Sequence, residues 1–270
     1  MQAVVEGFVA MVDDVGPRMR RVVLDVPLLA DLSLPGVGDE AVGLYFHDSP
    51  EGRNYTIRRR GPGKAQVTCD VVLHERGVAT EWARRATVGD RVVLDHARSW
   101  YRPEPDAAWQ LLIADLSGLP ALARILEELP DGTHASAIVE VADDSDLEYL
   151  KMPPGISLTT TIGSGNGYAA SRLPHLVRTY THLDGRGYCW FAGEAGATRE
   201  VRKYLRADHG WTADQYDVVG YWRFDSESWD RRFEAVSDEM VAVYEKALAE
   251  GKGDKIASEE FDLALERVGL

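Results

Sequence analysis

The chain has 270 residues, of which 45% are hydrophobic and 27% charged, an ordinary composition for a globular protein. Its formal net charge of −14 argues against a nucleic-acid partner. No apolar run approaches membrane-spanning length and the first residues do not form a signal peptide, so we expect no membrane insertion and a cytoplasmic location. Cys69 and Cys189 lie far apart and are expected to be free thiols.

The first hundred residues predict an antiparallel β-barrel. Short runs rich in valine and leucine indicate six strands, at 4–12, 18–26, 41–46, 54–60, 65–73 and 91–96. A run from Glu81 to Ala86 indicates one small helix, for which Thr80 is a plausible N-cap. Six short strands and one helix favour a closed barrel, which we assign to residues 1–104.

After a connection that contains two prolines, strands alternate with helices. Strands are predicted at 109–114, 135–141, 156–162, 188–192 and 216–221, with helices near 119–129, 173–182 and 197–207. This alternation predicts a parallel-sheet α/β domain over residues 105–225, with ligands beyond the carboxyl ends of its strands.

The last residues, 226–270, predict a helical tail. Trp229, Phe233, Val236 and Met240 recur at helical spacing, which indicates one amphipathic helix that ends near Gly251. A final short helix is expected over 258–268. The apolar stripe is interpreted as a packing surface.

The run Arg53-Asn54-Tyr55-Thr56-Ile57-Arg58 lies on a predicted strand and has the chemistry of a flavin-binding strand. The guanidinium of Arg53 donates in a fixed fork that suits a diphosphate. Tyr55 offers a ring face for stacking, and the Thr56 hydroxyl can reach a ring nitrogen. Because alternate residues of a strand share a face, Arg53 and Tyr55 would point to one side and Thr56 to the other.

A second signal follows about twenty residues further on, where Gly77-Val78-Ala79-Thr80 leads into the small helix. A turn of small residues at the start of a helix exposes N–H groups and the positive end of the helix dipole, which together form a phosphate site. The arginine-bearing strand and this turn indicate flavin binding more specifically together than either does alone.

With these segments the chain resembles the siderophore-interacting proteins, flavin-dependent ferric-siderophore reductases of the ferredoxin-reductase superfamily. The resemblance extends from about residue 5 to residue 225 and keeps the family's order and spacing. The matching segments are Arg53-x-Tyr55-Thr56-x-Arg58, Asp70-x-x-Leu73-His74, Gly77-x-Ala79-Thr80, Trp82-Ala83, Gly89-Asp90, Leu119-Pro120-Ala121, Ala192-Gly193-Glu194 and Gly220-Tyr221-Trp222-Arg223.

The resemblance implies FAD as the cofactor, held by the barrel, and NADH or NADPH as the electron donor, bound by the second domain. Residues implied to bind FAD are Arg53, Tyr55, Thr56, Ile57, Arg58, Asp70, Val71, Leu73, His74, Gly77, Ala79, Thr80 and Trp82. Residues implied to bind the nicotinamide nucleotide or to close the site are Asp115, Ser117, Gly193, Glu194, Arg199, Trp222 and Arg223. No catalytic side chain is expected, because the flavin carries the redox chemistry.

The implied reaction is reduction of a ferric siderophore, which loosens the iron because oxygen donors hold Fe(III) more tightly than Fe(II). Arg59, Arg60 and Lys64 are candidates for a basic patch that faces the siderophore, although a solvated hairpin tip would have the same composition. No metal held by the protein itself is expected, because the histidines and cysteines form no ligand pattern. A monomer is the default expectation.

Two departures from the family pattern lie where the nicotinamide should dock. His96-Ala97-Arg98-Ser99-Trp100 replaces a Gly-Pro-x-Gly turn, and Asp115-Leu116-Ser117 replaces Asp-Glu-Thr. Glycine allows close approach of the backbone, which Arg98 and Trp100 do not. Two alternatives therefore stay open: a siderophore- or flavin-binding protein with weak or no NAD(P)H turnover, and a flavin reductase that passes electrons to another protein.

Overall fold

The computed structural model describes residues 4–46, 52–61, 65–75, 77–224 and 226–270. Six antiparallel strands close into a barrel in the order β1-β2-β5-β4-β3-β6. They are β1 (Val4–Gly16), β2 (Met19–Asp25), β3 (Ala41–Phe46), β4 (Arg53–Arg60), β5 (Gln66–Val72) and β6 (Arg91–Arg98). Helix α1 (Val78–Arg85) lies between β5 and β6 in the chain. The predicted six-stranded barrel is confirmed.

The second half of the chain folds around a five-stranded parallel sheet in the order β11-β10-β7-β8-β9. Its strands are β7 (Trp109–Ala114), β8 (Ala135–Val141), β9 (Ser157–Ile162), β10 (Gly187–Glu194) and β11 (Tyr216–Trp222). Its helices are α2 (Leu119–Glu128), α3 (Leu173–Thr179) and α4 (Ala195–Ala207). The predicted parallel-sheet domain is confirmed, while its limits at residues 105 and 225 stay a prediction.

The helices cover both faces of the sheet. Apolar residues of α2 pack on one face of β7, β8 and β10, and those of α3 and α4 pack on the other. Every residue of β7 is buried, which is the pattern expected for a central strand that helices cover on both sides. Since the helices cover both faces, a ligand of this sheet is expected at the edge where the parallel strands end.

The tail is helical, as predicted, but it contains three helices instead of two. They are α5 (Ser226–Glu234), α6 (Ser237–Ala249) and α7 (Gly253–Arg267). Their apolar side chains form a small core of their own around Met240 and Leu265. Ion pairs between Arg206 and Glu266 and between Lys255 and Asp217, both at 3.1 Å, join α7 to the α/β domain. No helix in the described part of the chain is long and apolar enough to cross a membrane.

The barrel and the α/β domain are joined at the buried carboxylate of Glu40, which directly precedes β3. Its oxygens accept hydrogen bonds from Arg60 of β4 at 2.6 Å, from Arg124 of α2 at 2.8 Å and from the Gly36 amide at 2.7 Å. Burial alone would raise the pKa of Glu40, but these donors hold it below its ordinary value. One ionised carboxylate thus ties the two domains together.

We expect the substitution Arg124→Ala to lower the free energy of unfolding by about 3 kcal/mol, because Glu40 would keep a buried charge with one partner removed. Urea unfolding followed by circular dichroism measures this change. Arg91→Ala breaks an exposed ion pair with Glu6 and serves as the control, with an expected loss below about 1 kcal/mol. Equal losses in the two variants would show that Glu40 and Arg124 do not hold the junction.

Candidate functional site

Strand β4 presents one face to the barrel interior and the other to the α/β domain. Tyr55 packs against the barrel core and Ile57 is fully buried within it. Arg58, on the opposite face, is buried and donates to both carboxylate oxygens of Glu127 on α2, at 2.9 and 2.5 Å. Thr56 shares that face and is also buried. The strand predicted to bind flavin therefore lies at the junction of the two domains.

The hydroxyl of Tyr221, on β11, is the main feature of this junction that the sequence did not reveal. It lies close enough to the Thr56 hydroxyl to feel its dipole, yet it is buried and makes no hydrogen bond of ordinary geometry with the described residues. Burial raises the pKa of Tyr221, so the hydroxyl keeps its proton. A buried donor without a partner is costly unless a bound molecule supplies the acceptor. The two hydroxyls therefore mark a place where a polar ligand edge would fit.

Trp100 forms a wall beside this place. Its ring centroid lies 6.1 Å from that of Tyr221. The backbone amides of Trp100 and Tyr101 donate to Asp39 at 3.0 and 2.7 Å, and the indole N–H of Trp190 donates to the same carboxylate at 3.0 Å. Burial raises the pKa of Asp39 to about 6. The segment that replaces the family's glycine turn, His96 to Trp100, thus places a fixed aromatic ring against β11.

The predicted phosphate turn has a different cap from the one expected. Helix α1 begins at Val78 with Gly77 at the N-cap, so Thr80 is not the cap. Its hydroxyl instead accepts the His74 amide at 3.1 Å and donates to the Val72 carbonyl at 3.4 Å. Gly77 has a φ of 135° with open space beside its Cα, and no side chain among the described residues caps the helix. The first-turn amides therefore remain for a ligand.

Other residues predicted to bind FAD have partners within the protein. Asp70 is buried and accepts two hydrogen bonds from Arg21, at 2.8 and 2.6 Å, and one from the hydroxyl of Tyr149. The ring of Trp82 stacks on Phe46 at a centroid distance of 4.4 Å. The apolar members of the set lie in or against the barrel core: Val71, Leu73 and Ala79. These contacts shape the barrel edge, and direct contact with FAD stays a prediction.

Arg53 and His74 lie at the exposed rim of the same region. Arg53 begins β4 and donates to the Gly52 carbonyl at 2.9 Å. His74 follows β5, and its carbonyl accepts a hydrogen bond from Arg84 of α1 at 2.8 Å. Both side chains are accessible to a bound cofactor.

Asp115 joins three strand ends at the carboxyl edge of the sheet. Its oxygens accept the Ser117 amide at 2.8 Å, the Glu194 amide at 2.9 Å and the indole N–H of Trp222 at 2.7 Å. Burial raises the pKa of Asp115. A Cβ on Gly193 would lie 2.9 Å from an Asp115 oxygen, so the close approach requires glycine there. Because protein donors already occupy this carboxylate, Asp115 holds the ends of the strands together. It has few positions left to accept hydrogen bonds from a nucleotide.

Arg199 of α4 and Arg223, which follows β11, lie near each other at the same edge. Neither guanidinium forms an ion pair with any carboxylate in the described ranges. Burial, together with the charge of Arg199, lowers the pKa of Arg223. Two half-buried like charges favour an anionic ligand, and guanidinium suits phosphate.

The arginines of the basic patch predicted near the β4–β5 hairpin have carboxylate partners. Arg58 pairs with Glu127 at 2.5 Å, Arg60 pairs with Glu40 at 2.6 Å, and Arg59 reaches Glu127 at 3.3 Å. Glu40 and Glu127 therefore offset two of these three positive charges, and Arg59 keeps a side chain that is 55% exposed, so a basic patch that faces the siderophore stays a prediction. Lys64, the remaining member of the predicted patch, lies outside the described residues.

Comparison with solved structures identifies the fold class of the protein. Solved ferredoxin reductases have the same fold of a barrel followed by a parallel sheet. A siderophore utilization protein from T. fusca superposes with a TM-score of 0.72 at 28% identity, over 83% of this chain and 94% of that one.

The family follows from sequence. The siderophore-interacting FAD-binding domain matches residues 46–98, and the siderophore-interacting protein model matches residues 107–225. An uncharacterised protein of Mycobacterium tuberculosis is 31% identical over 214 residues, which are 75% of this chain and 72% of the relative. An NADPH-dependent ferric-chelate reductase of Escherichia coli is 26% identical over 196 residues, 70% of this chain and 72% of that protein. The chain belongs to the siderophore-interacting protein family.

The raised pKa of Asp39 predicts a pH-dependent contribution to stability. Because folding favours the protonated form, this contribution is complete below the ordinary pKa and is lost as the pH rises through about 6. Asp39→Asn cannot titrate. We expect the stability of the wild type relative to this variant to fall by about 2 kcal/mol between about pH 4.5 and about pH 7.5. Urea unfolding at the two pH values measures it, and a difference that is constant or grows with pH would contradict the assignment.

Proposed function

We propose that the protein is an FAD-dependent ferric-siderophore reductase that takes electrons from NADH or NADPH. The observation that carries this proposal is the buried Tyr221 hydroxyl, which lies close to the Thr56 hydroxyl but makes no hydrogen bond of ordinary geometry with the described residues. The FAD-binding domain match spans both β4, which lies at the junction, and α1, whose first turn is uncapped. The relative named a ferric-chelate reductase supports the substrate class.

The residues at the junction fit a flavin. The edge of its ring system carries nitrogen and oxygen acceptors, which the hydroxyls of Thr56 and Tyr221 could supply with hydrogen bonds. The uncapped first turn of α1 and the fork of Arg53 would hold the diphosphate. Bound FAD would accept a hydride from NAD(P)H and pass single electrons to Fe(III) in the siderophore.

The protein would contribute orientation and exclusion of water. Thr56 and Tyr221 keep their donor protons at neutral pH, so both can hold a ring edge in one orientation. The rings of Trp100 and Tyr221, whose centroids lie 6.1 Å apart, would restrict access of solvent to a ligand at the junction. Asp39 fixes the Trp100 backbone, so this restriction does not depend on a mobile loop.

The electron donor is proposed to dock at the carboxyl edge of the sheet. The guanidiniums of Arg199 and Arg223 would bind its diphosphate, and Ser117 and Glu194 border the same edge. Both NADH and NADPH carry this diphosphate, so the arginines alone do not select between them.

A second candidate function is binding without turnover, and the position of Trp100 favours it. Its ring packs against Tyr221 where a glycine turn would leave more room for a nicotinamide ring. Such a protein would bind flavin or siderophore and oxidise NAD(P)H slowly. The third candidate, electron transfer to another protein, has weaker support, because Glu127 and Glu40 pair with Arg58 and Arg60 and leave mainly the exposed Arg59 to attract an acidic partner.

We expect the purified protein to be yellow, or to become so with added FAD. NADH or NADPH should bleach it in the absence of oxygen, because hydride transfer reduces the flavin, and a ferric siderophore should restore the colour with release of Fe(II) to a chromogenic chelator. Absorption spectroscopy measures each step. A yellow protein that NAD(P)H does not bleach would favour binding without turnover. A colourless protein that does not bind added FAD would contradict the reductase and any flavin-binding role, and would leave siderophore binding alone.

The substitution Tyr221→Phe should have opposite effects on the free and the flavin-bound protein. Removing an unpaired buried hydroxyl should raise the stability of the free protein by about 1 kcal/mol, whereas loss of a hydrogen bond to FAD should weaken FAD binding about fivefold. Thermal melting without FAD and a fluorescence titration with FAD give the two values. Tyr45→Phe, on the outer side of β3, is the control and should leave FAD affinity unchanged. Unchanged affinity in Tyr221→Phe would place the flavin elsewhere.

A further inference from the structure

The tail reaches the edge of the sheet where Arg199 and Arg223 lie. Trp229 of α5 places its ring over the guanidinium of Arg223, with the central carbon 4.2 Å from the ring centroid. Phe233, one turn further along α5, stacks on Trp229 with centroids 4.8 Å apart and planes 9° apart. Both aromatic residues lie beyond residue 225, where the family match ends. The tail therefore closes one face of a guanidinium that belongs to the family region.

The tail also brings negative charge to the same guanidinium. Asp230 of α5 and Asp262 of α7 both act on Arg223 and favour its charged form, against burial and the neighbouring Arg199. Asp262 is itself held by an ion pair with Arg202 at 2.5 Å. A nucleotide likewise offers an arginine both an aromatic ring, its base, and negative charge, its phosphates. The tail thus occupies Arg223 with chemistry similar to that of the expected ligand.

The contact of α5 with this edge is weaker than that of α7. Helix α7 is fixed by ion pairs from Arg206 and Lys255 and by a hydrogen bond of 3.1 Å from Tyr216 to Glu259. For α5, the indole N–H of Trp229 is buried and has no hydrogen-bond partner among the described residues. A cation–π contact contributes only about 1 kcal/mol, so a phosphate-bearing ligand can draw the Arg223 guanidinium off the ring while Trp229 stays packed in the tail core. The tail can therefore stay attached while Arg223 is exchanged between the Trp229 ring and the ligand.

We propose that α5 is a built-in lid over the dinucleotide site, in which Trp229 and the dinucleotide phosphate compete for Arg223. The identity of the dinucleotide rests on the proposed function, whereas the competition rests on the contact between Trp229 and Arg223. A lid of this kind lowers the affinity for the dinucleotide by the strength of the contact that must be broken.

The test uses the full-length, flavin-loaded protein with the substitution Trp229→Leu, which keeps an apolar side chain against the tail core and removes the ring face. Titration calorimetry with NADP⁺ and with NAD⁺ as probes should give a dissociation constant about fivefold lower than in the wild type, since the competing contact is worth about 1 kcal/mol. Trp211→Leu is the matched control. Trp211 packs on Trp109 at 5.8 Å, at the amino end of the strands, and its substitution should leave the dissociation constant unchanged.

A double-mutant cycle separates the lid from general loosening of the tail. In an Arg223→Gln background, the substitution Trp229→Leu should no longer change the dissociation constant, because the competing cation is gone. If Trp229→Leu does not fold, Phe233→Leu removes only the supporting ring and should strengthen binding in the same direction.

Equal or weaker dinucleotide binding by Trp229→Leu, no binding by any variant, or an undiminished effect in the Arg223→Gln background would overturn the lid. Failure of the proposed reductase gives a different result. Dinucleotide affinity would then depend on Trp229 as expected, but NAD(P)H would not bleach the flavin.

Discussion

Two adjacent buried carboxylates, Asp39 and Glu40, determine how the barrel meets the parallel sheet. Glu40 is held by guanidiniums from β4 and α2, and Asp39 by backbone amides after β6 and by the indole of Trp190 on β10. Neither side chain could stay buried without these donors, because an unpaired buried charge costs several kcal/mol. The proposed flavin site lies between Thr56 and Tyr221, one on each side of this junction, so its geometry depends on both carboxylates.

Charge pairing also explains where an acidic protein can accept anionic ligands. With a net charge of −14, many guanidiniums find carboxylates within the protein, as Arg58 and Arg60 do at the junction. Arg199 and Arg223 differ from these two, because they are half-buried near each other and no carboxylate in the described ranges forms an ion pair with them. Anion recognition in the second domain is therefore expected at the carboxyl edge of the sheet, where the tail also makes its contact.

Much of the fold could be predicted from local pattern. The limits of β3 and β7 were predicted at the residues observed, because buried strands leave continuous apolar runs between clear turns. The cap of α1 was not, because Thr80 is drawn away from the cap position by the His74 amide and the Val72 carbonyl. Local chemistry thus identified the helix but not the partner of its threonine.

The candidate site was less predictable because its charges pair over long distances in sequence. Arg58 was implied to bind FAD, and its pairing with Glu127 could not be foreseen because the two residues lie 69 positions apart. No sequence motif marks Asp39 and Glu40, because most of their partners are also distant in sequence. The isolation of the Tyr221 hydroxyl is a property of packing around β11, which no motif records.

A structure of the protein with FAD bound tests the central claim most directly. We predict that the polar edge of the flavin ring lies within hydrogen-bond distance of the hydroxyls of Thr56 and Tyr221, with the diphosphate at the first turn of α1. A flavin bound elsewhere would contradict the assignment of the junction as the cofactor site. The groove of about 620 Å³ that is lined in part by Gly36, Tyr101 and Pro105 is one such place.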